Sequence, residues 1–197
     1  MVVSNKLTPH CSICWSGGFD STRVLLESLD NNKFVELLTV IVDDDQKEMD
    51  QNLRTLVLKY ISEKYPKQLV YNKEILIDIN RHRKRKDLTF CICDTFLILQ
   101  QLFMSITPLM TAAPIVKFGY IKGDDFWHYK TEYLNIFNNV AIAAGKEIEA
   151  EFPLEWECKT SISNYYEKNH HKLLYRMREI YKLEIDKSPE HIGKKMI

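Results

Sequence analysis

The chain lacks an excess of either charge: 27 Lys and Arg face 27 Asp and Glu in 197 residues, a formal net charge of zero. That argues against a protein that coats nucleic acid by bulk electrostatics, and leaves only a local basic patch for such contact. Cysteine is scarce. Cys11, Cys14, Cys91, Cys93 and Cys158 are odd in number and too few for a disulfide scaffold, which points to free thiols in a reducing, cytoplasmic compartment. Met1 to His10 holds no apolar core segment, which argues against a secretory signal. Internal repeats and low-complexity tracts are missing as well.

Long apolar runs are also nearly absent. Thr95 to Val116 carries no formal charge over 22 positions, long enough for a bilayer helix. However, Gln100, Gln101, Ser105, Thr107, Pro108, Thr111 and Pro114 break it up. Apolar residues recur at Ile92, Phe96, Leu99, Phe103, Ile106 and Met110, the spacing of one helix face. The segment therefore reads as a buried helix that Pro108 ends, followed by a strand over Ile115 to Ile121.

What is present is globular. Hydrophobic residues make up 45% of the chain and aromatics 11%, enough to bury a core, and the length suits one domain. Residues 1–197 are taken as that domain, with 155–197 as a helical C-terminal extension. Strands are expected at Cys11 to Trp15, Phe34 to Val42, and Gln68 to Ile79 with an interruption at Lys73-Glu74. Helices are expected at Ser21 to Leu29, Gln46 to Lys64, Lys130 to Ala144 and Lys159 to Leu183. Such alternation implies right-handed crossovers and an α/β, doubly wound parallel sheet. Ligands in such sheets bind beyond the carboxyl ends of the strands.

One loop stands in that place. Ser16-Gly17-Gly18-Phe19-Asp20-Ser21-Thr22 follows the first strand and opens a helix. Two glycines let the backbone turn tightly, the helix start offers free N–H groups, and Ser16, Ser21 and Thr22 add hydroxyls. Together they suit a phosphate or pyrophosphate. Asp20 fits an anion site if it meets the anion's Mg²⁺. The loop is neither a Walker loop nor a G-x-G-x-x-G fingerprint.

Ser-Gly-Gly-Phe-Asp-Ser-Thr after a short apolar strand resembles the SGGxDS loop of the PP-loop ATP pyrophosphatases. Within them, the Ser-Thr ending is similar to the 7-cyano-7-deazaguanine synthase branch of queuosine biosynthesis. Val42-Asp43-Asp44-Asp45-Gln46 sits where that branch carries F-D-Y-G-Q. Phe152-Pro153-Leu154-Glu155-Trp156 with Lys159 is similar to its T-P-L-x-W-x-x-K, and Gly119 and Asp125 fall near its G-x-x-x-x-D. The resemblance spans roughly residues 10 to 165, as order and spacing outside the first motif.

The resemblance implies a Rossmann-like sheet of the adenine nucleotide alpha hydrolase type and a ligase that splits ATP into AMP and pyrophosphate. The implied acceptor is 7-carboxy-7-deazaguanine, adenylated and then attacked by ammonia; the implied cofactors are ATP and Mg²⁺. Ser16, Gly17, Gly18, Phe19, Asp20, Ser21 and Thr22 are expected on the phosphates and Asp43 near the nucleoside. Asp125 and Lys159 are expected toward the substrate. A homodimer is compatible with this reading, a membrane partner is not expected, and nucleic acid is disfavoured by the charge balance.

The chain departs from that branch in three places. Its last cysteine here is Cys158, so the C-terminal four-cysteine zinc site of that branch is not expected in these residues. Phe90-Cys91-Ile92-Cys93-Asp94 replaces P-G-R-N, and Trp127-His128-Tyr129-Lys130 replaces Y-P-D-C-R. Both segments read the deazapurine in that branch. Two other readings therefore stay open: a tRNA thiolase-like enzyme with Cys93 as sulfur carrier, and a nucleotide-binding regulatory protein without catalysis. Of the remaining features, Cys11, Cys14, Cys91 and Cys93 are expected to be free rather than zinc-bound. His170-His171 is expected on a polar surface, and the basic run Arg81 to Lys86 is expected in a solvated loop.

Overall fold

The computed structural model describes residues 8–42, 47–77 and 92–187. Five strands form one sheet: β1 (Cys11–Trp15), β2 (Val35–Val42), β3 (Leu69–Ile77), β4 (Ile115–Phe118) and β5 (Glu149–Glu151). Between and after them run α1 (Phe19–Asp30), α2 (Lys47–Lys64), α3 (Ile92–Met110), α4 (Lys130–Ala143), α5 (Lys159–Asn169) and α6 (His171–Lys187). A 3₁₀ turn, Asp125–Tyr129, precedes α4. The strand order is β3-β2-β1-β4-β5, and every pairing is parallel. The doubly wound α/β expectation is met.

Alternation along β1 sorts side chains to the two faces. Cys11, Ile13 and Trp15 join Val24, Leu25 and Leu29 of α1, Leu53, Val57 and Ile61 of α2, and Tyr166 and Met177 of α5 and α6 in one core. Each fully buried large apolar side chain there is worth about 1.5–3 kcal/mol against exposure. On the opposite face Met104 of α3 packs with Val116 and Phe118 of β4 and with Phe126, Tyr133 and Phe137. Cys11 and Cys14 therefore project to opposite faces of the sheet, a poor arrangement for sharing one metal ion. Cys91 lies outside the described residues.

Helix α3 differs from its expectation twice. Pro108 sits inside it, and the helix continues to Met110. Its end is held by Lys146, whose Nζ donates to the carbonyls of Pro108 and Leu109, each at 2.9 Å, and of Thr111 at 3.0 Å. Terminal carbonyls satisfied this way let the helix carry past the proline. The apolar stripe is also not the buried face: Leu99, Phe103, Ile106 and Met110 are half-buried, whereas Gln100, Met104, Thr107 and Thr111 are buried.

The sheet beneath explains this, because it is polar there. Ser12, at the hydrogen-bonding centre, donates to Glu36 and meets Thr111 Oγ1 at 2.6 Å. Glu36, fully buried on β2, also accepts from Ala112 N at 2.9 Å and pairs with Lys73 at 2.6 Å. Burial pushes the Glu36 carboxyl up, but Lys73, Ser12 and the Ala112 N–H outweigh it and hold the group below its ordinary value. Lys73-Glu74 accordingly does not interrupt β3, whose ladder with β2 runs on through Leu38 and Thr39. Strand β4 stops at Phe118 rather than Ile121, and the acidic β5 escaped the sequence reading.

His170 is a further correction. It is buried, not on the surface, and ends α5 with Nε2 3.0 Å from Asp30 Oδ2 and Nδ1 2.9 Å from Tyr60 OH. Among the described residues no helix is long and apolar enough to cross a membrane.

Candidate functional site

Helices α1 and α4 leave the neighbouring strands β1 and β4 on opposite faces, which opens a crevice at their carboxyl ends. A cleft of about 520 Å³ lies there, lined by Ser16, Gly18, Phe19, Asp20 and Ser21 from the glycine loop. Cys14 and Trp15 of β1, Leu99, Gln100 and Phe103 of α3, Phe118 at the end of β4 with Gly119 and Tyr120 beyond it, and Asp50, Asp124, Lys159 and Tyr181 complete it. Its size falls within the ~300–1,000 Å³ of small-molecule sites.

The loop is built by its own hydroxyls. Ser16 Oγ and Ser21 Oγ stand 3.1 Å apart, Gly18 N donates to Ser16 Oγ at 3.3 Å, and Ser16 N donates to Ser21 Oγ at 3.3 Å. Gly17 has φ +95°, which a side chain rarely adopts, and a Cβ there would meet Arg54 Cγ at 2.6 Å. Arg54 is buried against the loop and donates to Ser16 O at 3.3 Å. The demand for glycine at 17 thus comes from the tight turn the sequence had suggested, and from α2 packing against it. At Gly119 a Cβ would stand 2.7 Å from both Ser21 N and Ser21 Cα, so the end of β4 presses directly on the first turn of α1.

Gly18 is the N-cap of α1 and supplies no side-chain cap. The first helical bond runs from Thr22 N to Gly18 O at 3.0 Å. The N–H groups ahead of it belong to cleft-lining residues and have no intrahelical acceptor. Helix α5 also begins at the cleft, with Lys159 in its first turn. A lysine at the positive end of a helix dipole gains nothing for that helix. The uncapped start of α1 and the Lys159 side chain meet at one crevice, an arrangement that attracts an anion.

Lys159 is paired with Asp20 Oδ2. Asp50 and Asp124 line the same cleft, but no group of three or more acidic, histidine or cysteine side chains suited to a metal occurs among the described residues. Single carboxylates of this kind suit Mg²⁺ held chiefly by phosphate and water, with Asp20 as the protein's contribution. Tyr181 stacks on Phe19 at 5.2 Å, and its hydroxyl is pushed up to about 12 by burial and then by Asp50 and Asp20.

The α3 side of the cleft is mostly apolar with two polar points. Tyr120 OH donates to Gln100 Oε1 at 2.5 Å, and burial raises that hydroxyl far above its usual range. Cys14 Sγ lies 3.7 Å from Thr107 Oγ1, and burial pushes its thiol up to about 11, so it is a neutral group.

The structure gathers Ser16, Gly18, Phe19, Asp20, Ser21 and Lys159 around one cleft, with Gly17 as the turn behind them. Thr22 does not reach it: the residue is buried and its Oγ1 accepts from Trp15 Nε1 at 2.9 Å. Asp125 opens the 3₁₀ turn, while its neighbour Asp124 lines the cleft. Asp43 and the Arg81 to Lys86 run lie outside the described residues, and Cys93 falls in the first turn of α3. Arg54, Gln100, Tyr120 and Tyr181 were not singled out in the sequence because each comes from a separate helix or loop with no local motif.

No protein-family model matches the chain, and no curated protein matches it in sequence. Among solved structures, a 4-thiouridine synthetase–RNA complex with bound ATP aligns over 87% of this chain at 14% identity, with a TM-score of 0.50. The chain spans 40% of that protein's length. A predicted subunit of tRNA methyltransferase from Methanocaldococcus jannaschii aligns over 79% of this chain and 72% of its own, at 13% identity and TM-score 0.48. The U34-tRNA thiolase NcsA from Methanococcus maripaludis, with its 4Fe–4S cluster, aligns over 94% and 73%, at 14% and 0.45. The likeness is one of fold. The chain has the Rossmann-like fold of the adenine nucleotide alpha hydrolase type.

Proposed function

We propose that the chain is a PP-loop ATP pyrophosphatase that binds Mg-ATP in this cleft and transfers AMP to an acceptor. The observation that carries the reading is the convergence of the α1 start, the Ser16–Ser21 loop and Lys159 on one crevice beside the Asp20 carboxylate. The fold match to a synthetase with bound ATP supports it.

The chain's own groups divide the work. The N–H groups at the start of α1 and the Ser16 and Ser21 hydroxyls hold the β- and γ-phosphates, and Lys159 moves from Asp20 to the anion as charge builds on it. Asp20, once released by Lys159, is free to ligate the cation, and Mg²⁺ when bound supplies charge neutralisation on the departing pyrophosphate. The acceptor we propose is a carboxylate on a planar heterocycle, 7-carboxy-7-deazaguanine or a relative, seated against Phe103, Phe118, Gln100 and Tyr120. The support is chemical: apolar walls fit a flat ring, and a Gln amide fits a ring edge with donors and acceptors.

In the reaction a carboxylate oxygen attacks the α-phosphorus, the bond between the α-phosphorus and the bridging oxygen breaks, and pyrophosphate leaves with that oxygen. Ammonia then attacks the acyl carbon, loses a proton, and expels AMP to leave the amide. The amide oxygen then attacks the α-phosphorus of a second ATP and expels pyrophosphate; the nitrogen loses both protons as the C–O bond breaks, and the oxygen departs on AMP to leave the nitrile. The test is to incubate the protein with Mg-ATP, ammonia and carboxylate-¹⁸O acceptor and to weigh the AMP. One ¹⁸O atom in AMP is the expected result. Unlabelled AMP with tRNA-dependent turnover and a sulfur donor would replace the acceptor with tRNA, and ATP affinity without any turnover would leave a regulatory binder.

A further inference from the structure

Helix α5 lies along α1 and is tied to it at both ends. At the far end, Asp30 of α1 accepts from Tyr165 OH at 2.9 Å and meets His170 at 3.0 Å. At the cleft end three contacts reach the first turns of α1. Lys159 pairs with Asp20, Tyr166 OH donates to Phe19 O at 2.7 Å, and Arg23 Nη2 donates to Glu157 Oε1 at 3.0 Å.

Arg23 is the odd member. Its side chain is 9% exposed, and its guanidinium lies 5.1 Å from the centre of the Tyr165 ring. Its Nε and Nη1 find no hydrogen-bond partner among the described residues. A buried cation with unmet donors costs stability, and an apolar side chain of similar volume would fill the space between α1 and α5 without that cost. What an apolar residue would not provide is a directed bond to Glu157, two positions before Lys159. Lys159 needs such help, because its side chain is 62% exposed and one exposed ion pair holds a lysine only weakly. The turn between them is already ordered, with Glu157 N donating to Leu154 O at 3.0 Å and Cys158 N to Ser161 Oγ at 3.0 Å.

We infer that Arg23 and Glu157 are positioning residues: their ion pair, buried on the Arg23 side, fixes the start of α5 so that Lys159 reaches the phosphate loop. The inference rests on the phosphate-loop reading, and its test separates the two. Glu157→Gln, Lys159→Met and the double variant are made in the full chain and titrated with Mg-ATP and with inorganic pyrophosphate. In parallel, without nucleotide, acylation of the Lys159 amine is followed by mass spectrometry. Glu157 is one-third exposed, so its substitution leaves the fold intact, as a thermal melt checks.

Glu157→Gln is expected to weaken pyrophosphate binding several-fold and to raise Lys159 labelling several-fold, with the double variant no weaker than Lys159→Met alone. Arg23→Lys, which keeps the charge but shortens its reach, is expected to behave like Glu157→Gln. Additive losses in the double variant, or unchanged Lys159 labelling in Glu157→Gln, would overturn the positioning role. Wild-type protein that binds neither ligand would count against the phosphate-loop reading alone, since the labelling still judges whether Glu157 holds Lys159.

Discussion

Asp20 and Lys159 are 139 positions apart in the chain and form an ion pair at the mouth of the cleft, each from the first turn of its own helix. The pair gives the loop a resting state in which the carboxylate is neutralised by protein. Under the proposed function, a nucleotide with its cation would offer each partner a stronger one.

That exchange sets opposite expectations for the two side chains. Asp20→Asn keeps the shape, frees Lys159 and removes a negative charge beside the anion site. Metal-free pyrophosphate should bind at least as tightly as to wild type, while Mg²⁺-dependent turnover falls by roughly 10–1,000-fold. Lys159→Met should weaken pyrophosphate binding with or without Mg²⁺. Calorimetric titration of both variants, with and without the metal, checks the pattern.

The glycines should rank by geometry. Gly119→Ala forces a Cβ onto the Ser21 backbone at 2.7 Å, and Gly17→Ala combines φ +95° with the Arg54 side chain at 2.6 Å. At Gly18 the nearest atom is Ser16 Oγ at 3.4 Å, with φ −69°. Thermal melts should therefore show clear destabilisation for Gly119→Ala and Gly17→Ala, with Gly18→Ala near wild type.

Acid should loosen the far end of the α1–α5 pair. Burial, with Lys64 adding to it, holds the His170 pKa below 6.5 despite Asp30. The folded state therefore resists protonation that the unfolded state accepts. His170 contributes its full stability above about pH 6.5, and that contribution falls as the pH drops through 6.5 toward the folded value. Asp30 and Glu36 are held below 3.8 and 4.5, so they lose their contributions only at lower pH. Denaturant unfolding between pH 7 and 5 should lose stability in wild type and show a flatter profile in His170→Gln.

The Glu36–Lys73 pair should matter more than any surface pair. Lys73→Met leaves a fully buried carboxylate without its cation, a change expected to cost about 3 kcal/mol, somewhat less if solvent reaches the site beside half-buried Lys73. Adding Glu36→Gln should recover part of that loss. Urea titration of the single and double variants measures both.

Three-residue β5 carries no apolar run, and the α5–α6 break at His170 has no local signal. The first four strands, helices α1 to α4 and the glycine loop were legible because each is written locally, in apolar runs, β-branched residues and Gly-Gly. The polar floor under α3 was not. Gln100, Thr107 and Thr111 looked like breaks in an apolar stripe until Tyr120, Cys14 and Ser12, distant in sequence, were set opposite them. His170 misled for the same reason, since the carboxylate it meets is 140 positions away. Thr22 read as a phosphate ligand from its motif, but the helical turn aims it at Trp15.

Cleavage at the α-phosphate in the Ser16–Ser21 cleft is read from the identity of the products. Mg-ATP labelled separately at the α- and γ-phosphates is incubated with the protein, ammonia and candidate deazapurine carboxylates, and the nucleotides are resolved. α-Label is expected in AMP and γ-label in pyrophosphate, both lost in Lys159→Met. ADP with γ-label in inorganic phosphate would contradict cleavage at the α-phosphate.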